Sequence, residues 1–408
     1  MKALLNRVDR DGLVETACDL VNIPSPTGHE QAAAEYVART LGAMGLQVSW
    51  QEIEEGRPNV LGRLEGAGAG KTLMFNGHLD TSYSGREPWL RGVAGFRPEA
   101  SVRDGHVFGL GISNMKGALA CYIAAVRALQ DAGIRLAGDL LIAAVVGEIE
   151  KTQWGEFRGA DYRGYAAGSR HLVTHGGVAD MCVLGEPTDQ KIVLAHYGTV
   201  WMRLSTHGPF VHTAFSGGAL ERNSIVRMRD VLDAVLEWIP SWEARTTYRD
   251  RPGVVNVGAI NGGFAWRASR TPARTDLFLD ARVPPTMPMT EATAELRGLV
   301  SGLRQRFPEH GIRAEIYVTA PGAEIAEQHE LVRALDEGHE TVFGSPPERD
   351  VVRWFSDASV LSRYGIATVN YGTSSALPGA EGENLAISGL VDTAKVYALA
   401  AARVCGVA

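Results

Sequence analysis

Residues 71–80 read KTLMFNGHLD, a short apolar run that ends abruptly in polar residues. The same scheme recurs in DLLIAAVVGEIE (139–150) and in MCVLGEPTD (181–189). Between the first two lies ALACYIAAVRALQDAG (118–133), apolar almost throughout and of helical length. Buried strands alternating with helices predict an α/β domain with a mostly parallel sheet. Such sheets place their sites beyond the carboxyl ends of the strands. The polar residues closing these runs are therefore where chemistry is expected.

Working outward, IPSPTGHE (23–30) forces a loop through two prolines and a glycine, and EQAAAEYVARTLGAMG (30–45) reads as a helix closed by Gly45. From residue 195 the pattern changes. HYGTVWMRLSTHG, VVNVGAINGG, TDLFLDARVPP and AEIYVTAP alternate as strands, bracketing the helical NSIVRMRDVLDAVLEWI and TEATAELRGLVSGLRQRF. That strand–helix–strand–strand–helix–strand order predicts a small α+β domain inserted into the larger one. The expected division is 1–194 and 319–408 for the α/β domain, with 195–318 inserted.

The chain has 408 residues, 45% hydrophobic and 21% charged, with a net charge of −7. This is the composition of a globular protein with room for two domains. The negative balance and the lack of a basic, aromatic-interleaved run speak against a nucleic-acid partner. No stretch approaches the roughly 20 apolar residues of a membrane span, and the charged N-terminus lacks the apolar core of a secretory signal. The four cysteines, Cys18, Cys121, Cys182 and Cys405, lie in apolar contexts without CxxC spacing. A cytoplasmic location with reduced thiols is the expectation.

His78 and Asp80 end the first strand as HLD, a pairing in which a carboxylate can orient a ligating imidazole. Glu148 and Glu150 end the second strand, where a carboxylate can serve as general base, and Glu186 ends the third. One imidazole with hard oxygen ligands suits Zn²⁺, Mn²⁺ or a similar divalent ion. Each residue alone is equally at home as a solvated strand terminus, but three strand ends at one sheet edge form a constellation. In the inserted domain, His212 of GPFVHTAFSGG could stabilise an oxyanion, and Arg267 and Arg270 of GGFAWRASR or Arg282 could clamp a substrate carboxylate. Trp201, Tyr197, Phe210 and Trp266 could supply aromatic walls.

These residues, in this order, resemble metallopeptidase family 20, the glutamate carboxypeptidase, aminoacylase and desuccinylase group. IPSPTGHE, GHLDT, GLGISNMKG (109–117), GEPTD, GPFVHTA, VNVGAINGG with Asn256, and SDASVL fall where that family has signatures. The resemblance implies a catalytic domain with an inserted ferredoxin-like lid that mediates homodimerisation, acting on a small-molecule substrate. It implies His78 and Glu186 as ligands of the first metal, Asp80 as the orienting carboxylate, Glu148 as base and His212 as oxyanion contact. Asn256 joins Arg267 and Arg270 as a substrate-binding expectation.

The second metal of that family lacks its ligands here. Its bridging aspartate is Asn114, its glutamate aligns with Ile149, and YGTSSALPGAEGENLAISG (371–389) contains no histidine. Glu381, Glu383 or, in a shifted alignment, Glu150 could substitute. Three departures on one metal favour a site with a single divalent ion, with Asn114 as a possible amide ligand. A small branch that hydrolyses 5-nitroanthranilate to release its amino group shares these departures. The expected activity is a metal-dependent hydrolase of a C–N bond in a carboxylate-bearing, aminoaromatic substrate. A dinuclear deacylase and a non-catalytic binding protein are the alternatives.

Overall fold

The computed structural model describes residues 2–149, 151–373 and 381–408. The apolar runs pair as the sequence demands. Leu140–Val145, Leu73–His78, Met181–Leu184 and Ala367–Asn370 lie side by side in that order, all parallel. The first three are buried at every position, so they show no alternation, as strands covered on both faces should not.

The flank is antiparallel. Gln47–Glu54 and Arg57–Leu64 form a hairpin across Glu55 and Gly56, and Arg57–Leu64 runs antiparallel to Leu140–Val145. A two-residue connection cannot return a chain parallel to itself, so this hairpin makes the sheet mixed around its parallel centre. On the other side Val193 pairs antiparallel with Asn370.

Helix Gly117–Asp131 is buried along nearly its whole length. Its Tyr122 stacks on Phe75 with ring centroids 4.8 Å apart and lies 5.0 Å from Tyr397 of helix Ile387–Cys405. The Tyr122 hydroxyl donates to Asn76 O at 2.8 Å, and the Tyr397 hydroxyl to Tyr371 O at 2.6 Å. Each ring pair contributes about 0.5–1.5 kcal/mol beyond its burial. The column braces the strand that ends at His78.

The proline-bearing loop at 23–30 is fastened to the same strand's continuation. Ser25 Oγ donates to Leu79 O at 2.7 Å, and Thr81 N donates to Ser25 O at 2.9 Å. Its last residue, Glu30, receives a two-pronged salt bridge from Arg57, with N–O distances of 2.7 and 3.0 Å. Arg57 also pairs with Glu54 and donates to the carbonyls of Ala160 and Arg163.

The chain divides into two compact units, residues 1–194, 325–350 and 356–408 against residues 195–324 and 351–355. In the second unit, Val255–Gly262, Arg274–Val283, Gly198–His207 and Arg313–Ala320 form a four-stranded antiparallel sheet in that order. Helices Ser224–Arg245 and Met289–Arg306 cover one face, packing Met228, Val231, Val235, Leu296 and Val300 against Met202, Leu204, Leu277 and Leu279. Strand Arg274–Val283 buries every second residue, the period of a sheet covered on one face. Chain order and sheet order together are those of a ferredoxin-like fold. Among the described residues no helix is long and apolar enough to cross a membrane, and all four cysteines are free.

Candidate active site and metal centre

Three strand ends deliver their polar residues to one place. His78, Glu148 and Glu186 are all buried, and each offers a ligand atom within 4.8 Å of the others. His78 Nε2 lies 3.7 Å from Glu148 Oε2 and 3.9 Å from Glu186 Oε1. Asn114 joins them, because its Oδ1 stands 2.8 Å from His78 Nε2.

The turn that carries Asn114 depends on Gly111. Its φ is +84°, and a Cβ there would stand 2.6 Å from Thr81 Cγ2, so only glycine lets the turn close against the HLDT segment. Glu383 holds the turn from the other side. Its Oε2 accepts the main-chain N–H of Ser113 at 3.1 Å and of Asn114 at 3.3 Å. Of the two substitute ligands offered by the C-terminal loop, Glu381 is exposed and paired with Arg103 at 2.7 Å, whereas Glu383 reaches the Asn114 turn. Ile149 is buried, and Glu150 lies outside the described residues.

Asp80 is placed differently from a simple orienting carboxylate. His78 Nδ1 meets the main-chain oxygen of Asp80 at 2.9 Å, while the nearer carboxylate oxygen is 3.6 Å away. The carboxylate instead accepts from Glu148 N and Ile149 N, both at 3.1 Å, and from the Thr27 hydroxyl at 2.9 Å. Asp80 therefore ties the histidine strand to the loop that carries Glu148.

Both nitrogens of His78 face oxygens. Burial opposes the imidazolium, but the carboxylates of Glu186 and Asp80 and the Asn114 oxygen outweigh it and hold the ring's pKa above its ordinary value. Burial pushes Glu186 from 4.5 up to about 7, against the pull of His78. Burial likewise pushes Asp357 up to about 6, with the Ser169 hydroxyl working against it from 2.6 Å. Asp357 lies in SDASVL, where no local pattern marks it for a role. A buried aspartate among small and apolar residues was the signal it offered.

Among the described residues, Glu186 Oε1 and Asp357 Oδ1 are buried without a hydrogen-bond partner. The Glu186 oxygen, orphaned beside the His78 imidazole and the Glu148 carboxylate, fits a divalent cation, which would satisfy it. In the metal-free protein the raised carboxyls stabilise the fold most below their ordinary pKa values. That contribution is lost as pH climbs through about 6 and about 7. His78, also raised, loses its contribution on the same upward path. A divalent ion competes with these protons, so the Tm gain on adding Mn²⁺ should be larger at about pH 7.5 than at about pH 5.5. An equal gain at both would separate these groups from metal binding.

The remaining expected residues belong to the second unit. His212 is half-buried, its Nδ1 accepting from Ala214 N at 3.2 Å, and it bridges in register to Arg270. The Arg270 guanidinium lies 5.5 Å over the Phe210 ring. Arg267 and Asn256 are exposed. Arg282 pairs with Asp280 at 2.7 Å, a structural ion pair within one strand. Tyr197 is fully buried, donating its hydroxyl to Thr246 O and Arg251 O, so it is a core residue and no substrate wall.

Known proteins share this architecture over nearly its full length. The chain is 25% identical to N-formyl-4-amino-5-aminomethyl-2-methylpyrimidine deformylase of Bacillus subtilis, covering 89% of this chain and 87% of that one. It is 27% identical to acetylornithine deacetylase of Vibrio vulnificus, with 86% of each covered. Among solved structures, the di-peptidase Dug1p of Saccharomyces cerevisiae matches with a TM-score of 0.78 at 13% identity, covering 98% of this chain and 97% of that one. Human carnosine dipeptidase 1 matches with a TM-score of 0.75 at 15% identity, covering 99% and 98%. Residues 74–403 match the profile of peptidase family M20/M25/M40. The chain belongs to that family and is a metal-dependent hydrolase of carbon–nitrogen bonds.

Proposed function

We propose that this chain uses a single divalent ion to hydrolyse a C–N bond of a small carboxylate-bearing substrate, an aminoaromatic acid such as 5-nitroanthranilate. The observation that carries the reading is Asn114, whose amide oxygen meets His78 Nε2 at 2.8 Å where a bridging carboxylate would be needed for a second ion. A neutral amide cannot supply the charge that two adjacent cations require. Ile149 offers no ligand atom.

His78 and Glu186 would hold the ion, with Asn114 offering its oxygen, and Mn²⁺ or Zn²⁺ there would supply Lewis acidity that lowers the pKa of water. Glu148 takes a proton from the attacking water and passes it to the leaving nitrogen. Water oxygen bonds to the ring carbon, the C–N bond breaks, ammonia departs, and a nitro group accepts charge meanwhile. Asp80 holds Glu148 through its main chain. We assign His212 to the developing negative charge, and Arg267, Arg270 and Asn256 to substrate binding, each as a proposal for the second unit. Pairing of two chains through that unit, and residence in the cytoplasm, belong to the same proposal.

The named relatives favour a deacylase as the second reading, since one is a deformylase and another a deacetylase; that alternative carries a two-ion site. Metal analysis of purified protein separates the two. One tightly bound ion per chain is expected, and close to two would overturn the one-metal reading. Release of ammonia from an aminoaromatic acid is the expected activity. Cleavage of N-acyl amino acids, with no ammonia from any aminoaromatic acid, would select the deacylase instead.

A further inference from the structure

A cavity of about 620 Å³ opens in the first unit beside the two loops that carry the catalytic residues. Its walls continue those loops. Ser82 and Tyr83 follow Asp80 in the chain, and Lys151 follows Glu148 by three residues. A third wall includes Thr27, whose hydroxyl donates to the Asp80 carboxylate.

Four aromatic rings stand among the polar and charged residues of the lining. Phe157 and Tyr162 meet edge-to-face at 5.6 Å, with Tyr83 and Trp89 presenting further ring surface. Trp89 is 72% exposed, a large apolar ring left open to water. Lys151 is half-buried, and among the described residues its ammonium meets only a ring, that of Phe157 at 5.1 Å. Burial pulls it below the ordinary lysine range, although the charges of Asp80, Glu30 and Glu87 work the other way. Arg86 adds a second, exposed cation. Of the two anions in the lining, Glu87 accepts through Oε1 from Ser84 N and Ser84 Oγ at 2.8 and 3.0 Å, with Oε2 unpartnered among the described residues, and Glu156 is exposed. A cavity offering four rings and a half-buried cation that forms no ion pair among the described residues is complementary to a planar ring bearing an anionic group.

We propose that this cavity is a subsite for an aromatic acid, its ring set against Tyr83, Trp89, Phe157 and Tyr162 and its anionic group on Lys151 and Arg86. The proposal rests on the aminoaromatic reading above and names the part of the first unit that recognises such a substrate.

The test separates the two ideas by measuring binding without turnover. Metal-free protein is titrated calorimetrically with 4-nitrobenzoate and with cyclohexanecarboxylate, for wild type, Lys151→Met and Trp89→Ala. Nitrobenzoate should bind once per chain, about tenfold more tightly than the saturated acid, and each substitution should weaken it by about tenfold. No binding of nitrobenzoate, or binding unmoved by both substitutions, overturns the subsite. Metal-loaded wild type is assayed in parallel for ammonia release. Substitution-sensitive binding without any turnover supports the subsite while sinking the aminohydrolase reading. Turnover whose KM is untouched in both variants sinks the subsite while leaving that reading standing.

Discussion

Glu148→Gln is expected to lower kcat by about 10²–10⁴-fold while leaving the fold and the bound metal in place. The substitution keeps the side chain's volume and one carbonyl oxygen, so a ligand contact and the packing survive. What it removes is the capacity to take a proton. The loop position is secured independently of the side chain, because Asp80 grips the main-chain N–H groups of residues 148 and 149. A drop in kcat with unchanged metal content and unchanged thermal midpoint would assign the loss to proton transfer. Undiminished turnover would remove Glu148 as the base.

The largest expected effect on stability lies outside the metal cluster. Arg57→Met should cost about 3–5 kcal/mol, because it leaves a buried carboxylate without its cation. The side chains of Arg57 and Glu30 are 1% and 0% exposed. Glu30 sits where burial already pushes its carboxyl up, with the Arg57 guanidinium pulling it back. The same guanidinium holds Glu54 and two carbonyls of the 160–163 segment, so four partners lose a donor at once. Urea unfolding would show the loss as a lower midpoint at constant slope. Pairing Arg57→Met with Glu30→Met should recover much of it, since the double change leaves fewer buried charges unanswered. A single variant as stable as wild type would contradict the burial argument.

How much of this could be read from sequence depends on how local each signal was. His78, Glu148 and Glu186 were legible because each closes an apolar strand run, and parallel strands bring their carboxyl ends to one edge. The second unit was legible because strand and helix periods alternate cleanly along it. Asp357 was not, because its partner Ser169 stands 188 residues away and no local pattern joins them. The aromatic surface beside the site was sought at Trp201, Tyr197, Phe210 and Trp266. Tyr197 turned inward, since its hydroxyl found main-chain carbonyls that spacing cannot foretell. The rings gathered at Tyr83, Trp89, Phe157 and Tyr162 come from two loops without periodicity, where sequence says least. The choice between Glu381 and Glu383 likewise turned on which one met an arginine at the surface and which met two free N–H groups.

The grip of Asp80 on the backbone of residues 148 and 149 has a consequence for how such a centre can change. Main-chain donors are the same whatever side chain follows, so position 149 can exchange an isoleucine for a carboxylate without moving the base. Glu383 treats the turn at Ser113 and Asn114 in the same way, through N–H groups that any residue there would offer. On the proposed single-ion reading, side chains and not the scaffold would set the metal number. Two point changes, Asn114→Asp and Ile149→Glu, would address two of the three departures that set this chain apart from the two-metal pattern it resembles, and leave the scaffold's own bonds intact.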